Sequence, residues 1–213
     1  MGLKESSSAV YLGIYEGKFV RRFKTPVEGS IERINKENRV VYEKFYKAIE
    51  GRIVGIDTKP SKEYGERLLV YVSDDTIYCI EMKLDSRYAV NFLKTLPNVK
   101  LNEPVEIIPS KKTTDGKDDY TVFLKQNNTT LKRFYTKDNP DGIPEPTLKK
   151  GKRGKPDEWD FSEVNDFLYE SVVVPFRDNL RAVNKISIPA SHEAIPGDLD
   201  TDVIPGSSDI GDN

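Results

Sequence analysis

Residues 67–96 read RLLVYVSDDTIYCIEMKLDSRYAVNFLKTL, and a change of period within them decides the fold class. Leu68, Val70 and Val72 alternate with Arg67, Leu69 and Tyr71, the two-residue repeat of a strand with unlike faces. Ser73-Asp74-Asp75 supplies a tight turn, and Thr76 to Met82 returns as a second strand. From Ser86 the repeat becomes three and four. Ala89, Phe92, Leu93 and Leu96 then share one helical face, with Ser86 as N-cap and Pro97 as the stop.

Working upstream, Arg39 to Ile49 is rich in valine and aromatics and runs on as a strand to Ile56. Gly51 and Gly55 sit where such a strand would bend, because glycine in a strand marks a sharp bend or a close approach. Further upstream, Ala9 to Tyr15 and Lys18 to Lys24 flank Glu16-Gly17 and read as a hairpin. Downstream, strands are expected at Val105 to Ile108, Tyr120 to Gln126 and Thr130 to Thr136. Residues 138–156 hold four prolines and three glycines and read as extended linker. Asp160, with Glu163 three residues on, opens a second helix whose stripe is Phe161, Val164, Phe167, Leu168 and Val172. Pro175 is expected to kink or end it. Strand, strand, strand, helix, strand, strand is the order of an OB-fold, a five-stranded Greek-key barrel. The expected architecture is therefore mainly β: an N-terminal hairpin extension (1–38), an OB-like barrel (39–137), a linker (138–159), a C-terminal helix (160–189) and a disordered acidic tail (190–213).

Composition narrows the function. Thirty-three Lys and Arg against 35 Asp and Glu leave a net charge near zero, but residues 190–213 carry six acids and no Lys or Arg. The body is therefore basic, most densely over residues 18–52 and 111–155. One cysteine, Cys79, excludes an internal disulfide framework and a cysteine-rich zinc site, and it reads as a buried apolar residue in a strand. His192 is the one histidine and stands in the tail, without a nucleophile on a nearby ordered element. Asp198-Leu199-Asp200-Thr201-Asp202 starts like a calcium loop, but Val203 and Asp209 stand where glycine and glutamate are required. Lys149 to Lys155 packs five cations into seven residues without the Gly-Lys-Ser/Thr of a phosphate-binding loop, and suits either a solvated linker or a phosphate clamp. No apolar run is long enough to cross a membrane as a helix, and Met1 to Ser8 has no signal core. A binding protein is expected, with no enzyme activity, cofactor, metal or membrane partner, in the cytoplasm (of a host, if viral).

Three stretches interleave cations with aromatics, the combination that single-stranded nucleic acid needs for its phosphates and its bases. These are Lys18 to Lys24 with Arg21 and Arg22, Tyr42 to Lys47 with Tyr42, Lys44 and Tyr46 on one strand face, and Leu131 to Tyr135 with Lys132, Arg133 and Tyr135. Two lysine-bearing loops add Lys62 and Tyr64 (Thr58 to Glu66) and Lys111 and Lys112 (Ser110 to Asp119). Arg67 and Tyr71 lie opposite the Leu68-Val70-Val72 face and are expected to point outward. The competing reading puts the aromatics in the core and leaves the cations to solvate the other face.

An OB-like core over residues 40–136, basic aromatic-bearing strands and an acidic tail together resemble the single-stranded DNA-binding proteins of bacteriophage replication systems. The resemblance implies coating of single-stranded DNA, largely independent of sequence, during replication or recombination. It also implies a tail that competes with DNA or recruits replication and recombination proteins through Asp198, Asp200, Asp202, Asp209, Ile210 and Asp212. Many such tails end in an aromatic residue; Ile210 is the apolar candidate here. An RNA-binding OB protein and a protein-interaction module are the alternatives.

Overall fold

The computed structural model describes residues 9–35, 38–61, 65–138, 141–150 and 157–184. Strands β1 (Val10–Tyr15), β2 (Lys18–Phe23), β3 (Ile31–Ile34) and β4 (Val40–Tyr46) are followed by β5 (Ile49–Ser61), β6 (Gly65–Ser73) and β7 (Ile77–Lys83). Helix α1 (Arg87–Thr95) and a short 3-10 turn (Leu96–Asn98) lead into β8 (Val105–Thr114), β9 (Lys117–Gln126) and β10 (Thr129–Thr130). Strands β11 (Thr147–Lys149) and β12 (Glu158–Asp160) precede α2 (Ser162–Leu168), a π turn (Tyr169–Val173) and α3 (Val174–Asn184). The fold is mainly β. Ten strands form one sheet in the order β10-β9-β8-β5-β6-β7-β1-β2-β4-β3, and β11 and β12 form a separate pair.

Strand β5 belongs to two pairings. Ile49 to Gly51 pair with β8, and Arg52 to Ser61 pair with β6, with a register irregularity between Ile53 and Gly55. Both expected glycines thus fall where the strand changes partner or register. The expected closed five-stranded barrel is not formed; the sheet is open. Closure needs β7 to find β9, but the free edge of β7 takes β1 in parallel, Val10 beside Tyr78 and Leu12 beside Ile80. Beyond β1 the sheet continues through the Glu16-Gly17 turn, whose two residues both have positive φ (48° and 73°). Glycine suits the second position because it meets no Cβ penalty there.

One face of the sheet carries the core. Leu68, Val70, Val72, Ile80, Met82, Ile53, Ile56, Leu12 and Phe19 cluster with Ala89, Phe92, Leu93 and Leu96 of α1. Ser86 caps that helix by accepting from the Ala89 N–H at 3.2 Å. The C-terminal helix adds Val164, Leu168, Val172, Val173, Phe176 and Leu180 to the same cluster, and Arg177 reaches Asp57 of β5 at 3.3 Å. Of the two outcomes expected at Pro175, an end to the helix is not what forms. The Val174 N–H bonds back five residues to the Tyr169 carbonyl, and α3 continues past the proline to Asn184. A π turn widens the helix just where proline lacks a donor.

Other boundaries differ from the expectation as well. Lys47 and Ala48 divide the long strand into β4 and β5, and β3 was not foreseen. The two expected binding loops are mostly strand: β5 runs to Ser61, β8 reaches Thr114 and β9 starts at Lys117 around the Asp115-Gly116 turn. Thr130 ends β10, so Leu131 to Thr136 is not the expected strand. Within the expected linker, β11 pairs with β12.

Candidate nucleic-acid interface

The antiparallel pairing of β2 with β4 sorts the first two basic-aromatic stretches by face. Phe19 lies opposite Tyr46, Arg21 opposite Lys44, and Phe23 opposite Tyr42. Tyr42, Lys44 and Tyr46 therefore share a face, as their spacing predicts, and Arg21 and Phe23 join them. These five side chains are half-buried and Phe19 is buried. The Arg21 guanidinium lies 4.7 Å from the Phe23 ring centroid, and Lys44 Nζ donates to the Glu28 carbonyl at 3.1 Å. A cavity of about 260 Å³ adjoins this face, lined by Arg21, Tyr46 and Tyr78 among others.

Arg22 is on the other face, because successive strand residues point opposite ways. There it meets Glu43 at 2.9 Å, and Arg33 of β3 reaches the same carboxylate at 3.0 Å. Glu43 is 4% exposed. Burial alone would raise its carboxyl, but the hydrogen bonds from Arg33 and Arg22 hold it below the usual glutamate value. Arg22 is thus part of a structural clamp that ties three strands together, which alters its expected role as a phosphate contact.

The β8–β9 arm carries the next candidates. Lys111 Nζ sits between Glu16 (2.6 Å) and Asp118 (2.8 Å), and also lies 5.5 Å from the Tyr120 ring. Its contact with Lys111, helped by Thr113, holds the Asp118 carboxyl down to about 2. Lys111 therefore fixes the arm to the β1–β2 turn. The same turn is held by Gly17, whose N–H donates to the Tyr88 hydroxyl at 2.9 Å. Lys112 is exposed, as are Lys132 and Arg133. Tyr135 is not: it is 6% exposed, edge-on to Phe134 and Phe167 with centroids 4.9 and 5.5 Å away. The Lys94 carbonyl accepts from the Phe134 and Tyr135 N–H groups, which turns this segment onto α1 and sends its aromatics inward. In the third stretch, then, the aromatics fill the core and the cations face water.

Arg67 and Tyr71 lie on the face opposite Val70, as the alternation predicts, yet neither is exposed. Arg67 is 5% exposed and pairs with Glu81 at 3.2 Å. Tyr71, also at 5%, packs with Leu69 and Cys79, surrounded by Ala9, Tyr11, Val54 and Ile77. The reason is β1: docking on β7 brings Tyr11 beside Cys79, and Cys79 is opposite Tyr71. Burial, and then the Glu81 charge, pushes the Cys79 thiol up to about 12, so it is held as a buried thiol rather than a reactive thiolate. Lys62 and Tyr64 lie outside the described residues, as do the tail residues Asp198, Asp200, Asp202, Asp209, Ile210 and Asp212.

The arrangement brings Arg21, Tyr42, Lys44 and Tyr46 onto one surface and leaves Lys112, Lys132 and Arg133 as exposed cations elsewhere. Sequence reasoning missed Phe23 as part of that surface; its place two residues beyond Arg21 was the available signal. Among the described residues no group of three or more His, Cys, Asp and Glu could hold a metal ion, and no helix is long and apolar enough to cross a membrane. No family model matches the chain, and neither a curated protein nor a solved structure does.

Proposed function

We propose that the protein binds single-stranded DNA, largely without regard to sequence, in replication or recombination, and does so as a binder rather than a catalyst. The observation that carries the reading is the β2–β4 face, where Arg21 opposes Lys44 between aromatic pairs. Cations at that spacing can follow phosphates while Phe23, Tyr42 and Tyr46 offer rings for bases to stack on. The topology is compatible with it. Strands β5 to β9 with α1 follow the OB order, with β5 shared between β6 and β8, and we read them as an OB-type unit opened by β1.

The test is a titration of labelled oligo-dT and oligo-rU at two salt concentrations. Affinity for dT should fall steeply with salt, with a log–log slope of about −0.7 per phosphate neutralised. Replacing Arg21 and Lys44 together by Ala should weaken binding and flatten that slope by up to about 1.4, while a Lys132/Arg133 double variant should change it less. Salt-insensitive binding would remove the cationic face from consideration. Equal or tighter binding of rU would favour the RNA reading.

The acidic tail enters the same proposal as a competitor. Tethering can raise its effective concentration at a cationic face to about the millimolar range, and salt screens the competition. Deleting residues 190–213 should therefore tighten dT binding at low salt and change it little at high salt. Equal affinity of both forms across the range would reduce the tail to a solubility element.

A further inference from the structure

We infer that the cavity beside the β2–β4 face is a pocket for one nucleobase of the bound strand, in which Glu50 and Asp74 favour a base with an exocyclic amino group over thymine or uracil. This inference rests on the single-strand reading above and adds one position at which a largely indifferent binder reads a base. The cavity, of about 260 Å³, shares Arg21 and Tyr46 with the face itself. A phosphate held by Arg21 therefore brings its own base to the cavity. Phe19 and Ile49, both buried, give the cavity an apolar lining, and the half-buried rings of Tyr46 and Tyr78 complete it. Flat rings beside an apolar surface suit a stacked base. The volume falls just below the range of about 300–1,000 Å³ that holds drug-sized ligands, which is the order a single base requires.

The polar groups around the cavity select the base. Gly51 and Ser73 approach so closely that a Cβ on Gly51 would lie 2.7 Å from the Ser73 carbonyl oxygen. Their chain neighbours Glu50 and Asp74 are thereby brought to the same cavity. Glu106, paired with Glu50 across β5 and β8, is taken by Lys125 at 3.3 Å. Among the described residues, no hydrogen bond or ion pair engages the side chains of Arg21, Glu50, Asp74, Tyr46 or Tyr78. Elsewhere in the sheet, cations and acids that meet are paired: Glu43 with Arg22 and Arg33, Glu81 with Arg67, Glu16 with Lys111. A cation and two carboxylates left unpaired around one cavity match a nucleotide. The cation takes the phosphate, and the carboxylates accept from base N–H groups. Cytosine offers them its N4 amino group, where uracil and thymine carry a carbonyl oxygen that a carboxylate repels.

The test titrates full-length protein with two labelled dT oligomers that differ only in a central dC or dU. Wild type should bind the dC strand about fivefold more tightly than the dU strand. That is the lower end of what one base contact discriminates, about 1 kcal/mol at about 1.4 kcal/mol per tenfold, because both acids are exposed to water. Replacing Glu50 and Asp74 together by Ala should bring the ratio to about one. The ratio is the readout because removing two acids tightens binding of every strand. Ala48→Phe, which fills the cavity and keeps both acids, should level the ratio as well. A wild-type protein that binds both strands equally or prefers dU, or a dC preference that survives either variant, would overturn the inference and leave the β2–β4 reading standing. Failure of the wild-type protein to bind any labelled strand would remove both.

Discussion

Glu43→Ala is expected to destabilise the protein by about 3 kcal/mol, the lower end of what removing one partner from a buried ion pair costs. The lower end applies because the two arginines left behind, at 18% and 31% side-chain exposure, can reach water. Arg22→Ala should cost less, since Arg33 still holds the carboxylate at 3.0 Å. The pH dependence has a definite sign. The Glu43 value is lowered in the folded state, so its contribution is present above the ordinary glutamate value and is lost as pH falls towards the folded one. Urea unfolding of wild type and Glu43→Gln should therefore differ most at neutral pH and converge in acid. A constant difference across that range would mean that the carboxylate charge is not what the clamp uses. The functional consequence follows from position. Glu43 lies between Tyr42 and Lys44 on β4, so loosening it frees the strand that presents them.

A series of glycine-to-alanine variants should separate two kinds of strain, with the two larger effects each matching or exceeding that of Glu43. Gly116 has a φ of 75° and open space around it, so Gly116→Ala should cost about 1 kcal/mol from backbone conformation alone. Gly51 lacks a left-handed φ, but a Cβ there would lie 2.7 Å from the Ser73 carbonyl oxygen and 2.8 Å from Val72 Cγ1. Those atoms belong to the strand paired with β5, and Gly51→Ala should cost about 3 kcal/mol, the upper part of the overpacking range. Gly17 combines both, with a φ of 73° and a Cβ position 2.4 Å from the Lys111 backbone nitrogen. Gly17→Ala should be the most damaging of the three, at more than about 3 kcal/mol. Chemical denaturation of the set checks the ranking. Gly17→Ala no worse than Gly116→Ala would mean that the β1–β2 turn does not press on β8 as described.

What could be read from the chain alone was local. Alternation in residues 67–82 specified a hairpin and which side chains share a face, because the strand period is two whatever stands in front of the sheet. The three- and four-residue spacing after Ser86 specified α1 and its cap for the same reason. The Glu16-Gly17 turn and the common face of Tyr42, Lys44 and Tyr46 were legible likewise. Tertiary structure decided what covers each face. Tyr71 is on the predicted side, yet it is buried because β1 docks on β7 from nearly 70 residues away, a choice with no local signature. The same docking keeps the sheet open where the strand order suggested a closed barrel. Lys111 reads as a free loop cation until Glu16, 95 residues distant, is placed against it. Tyr135 closes a basic-aromatic stretch like those of β2 and β4, but the Lys94 carbonyl turns it into the core. Trp159 stood unremarked in a proline- and glycine-rich stretch, and only the pairing of β11 with β12 sets it on an open face. Short-range periodicity is set by backbone geometry, which sequence expresses directly. Burial and charge pairing depend on which distant segment arrives, and that is settled by the summed packing of the whole chain.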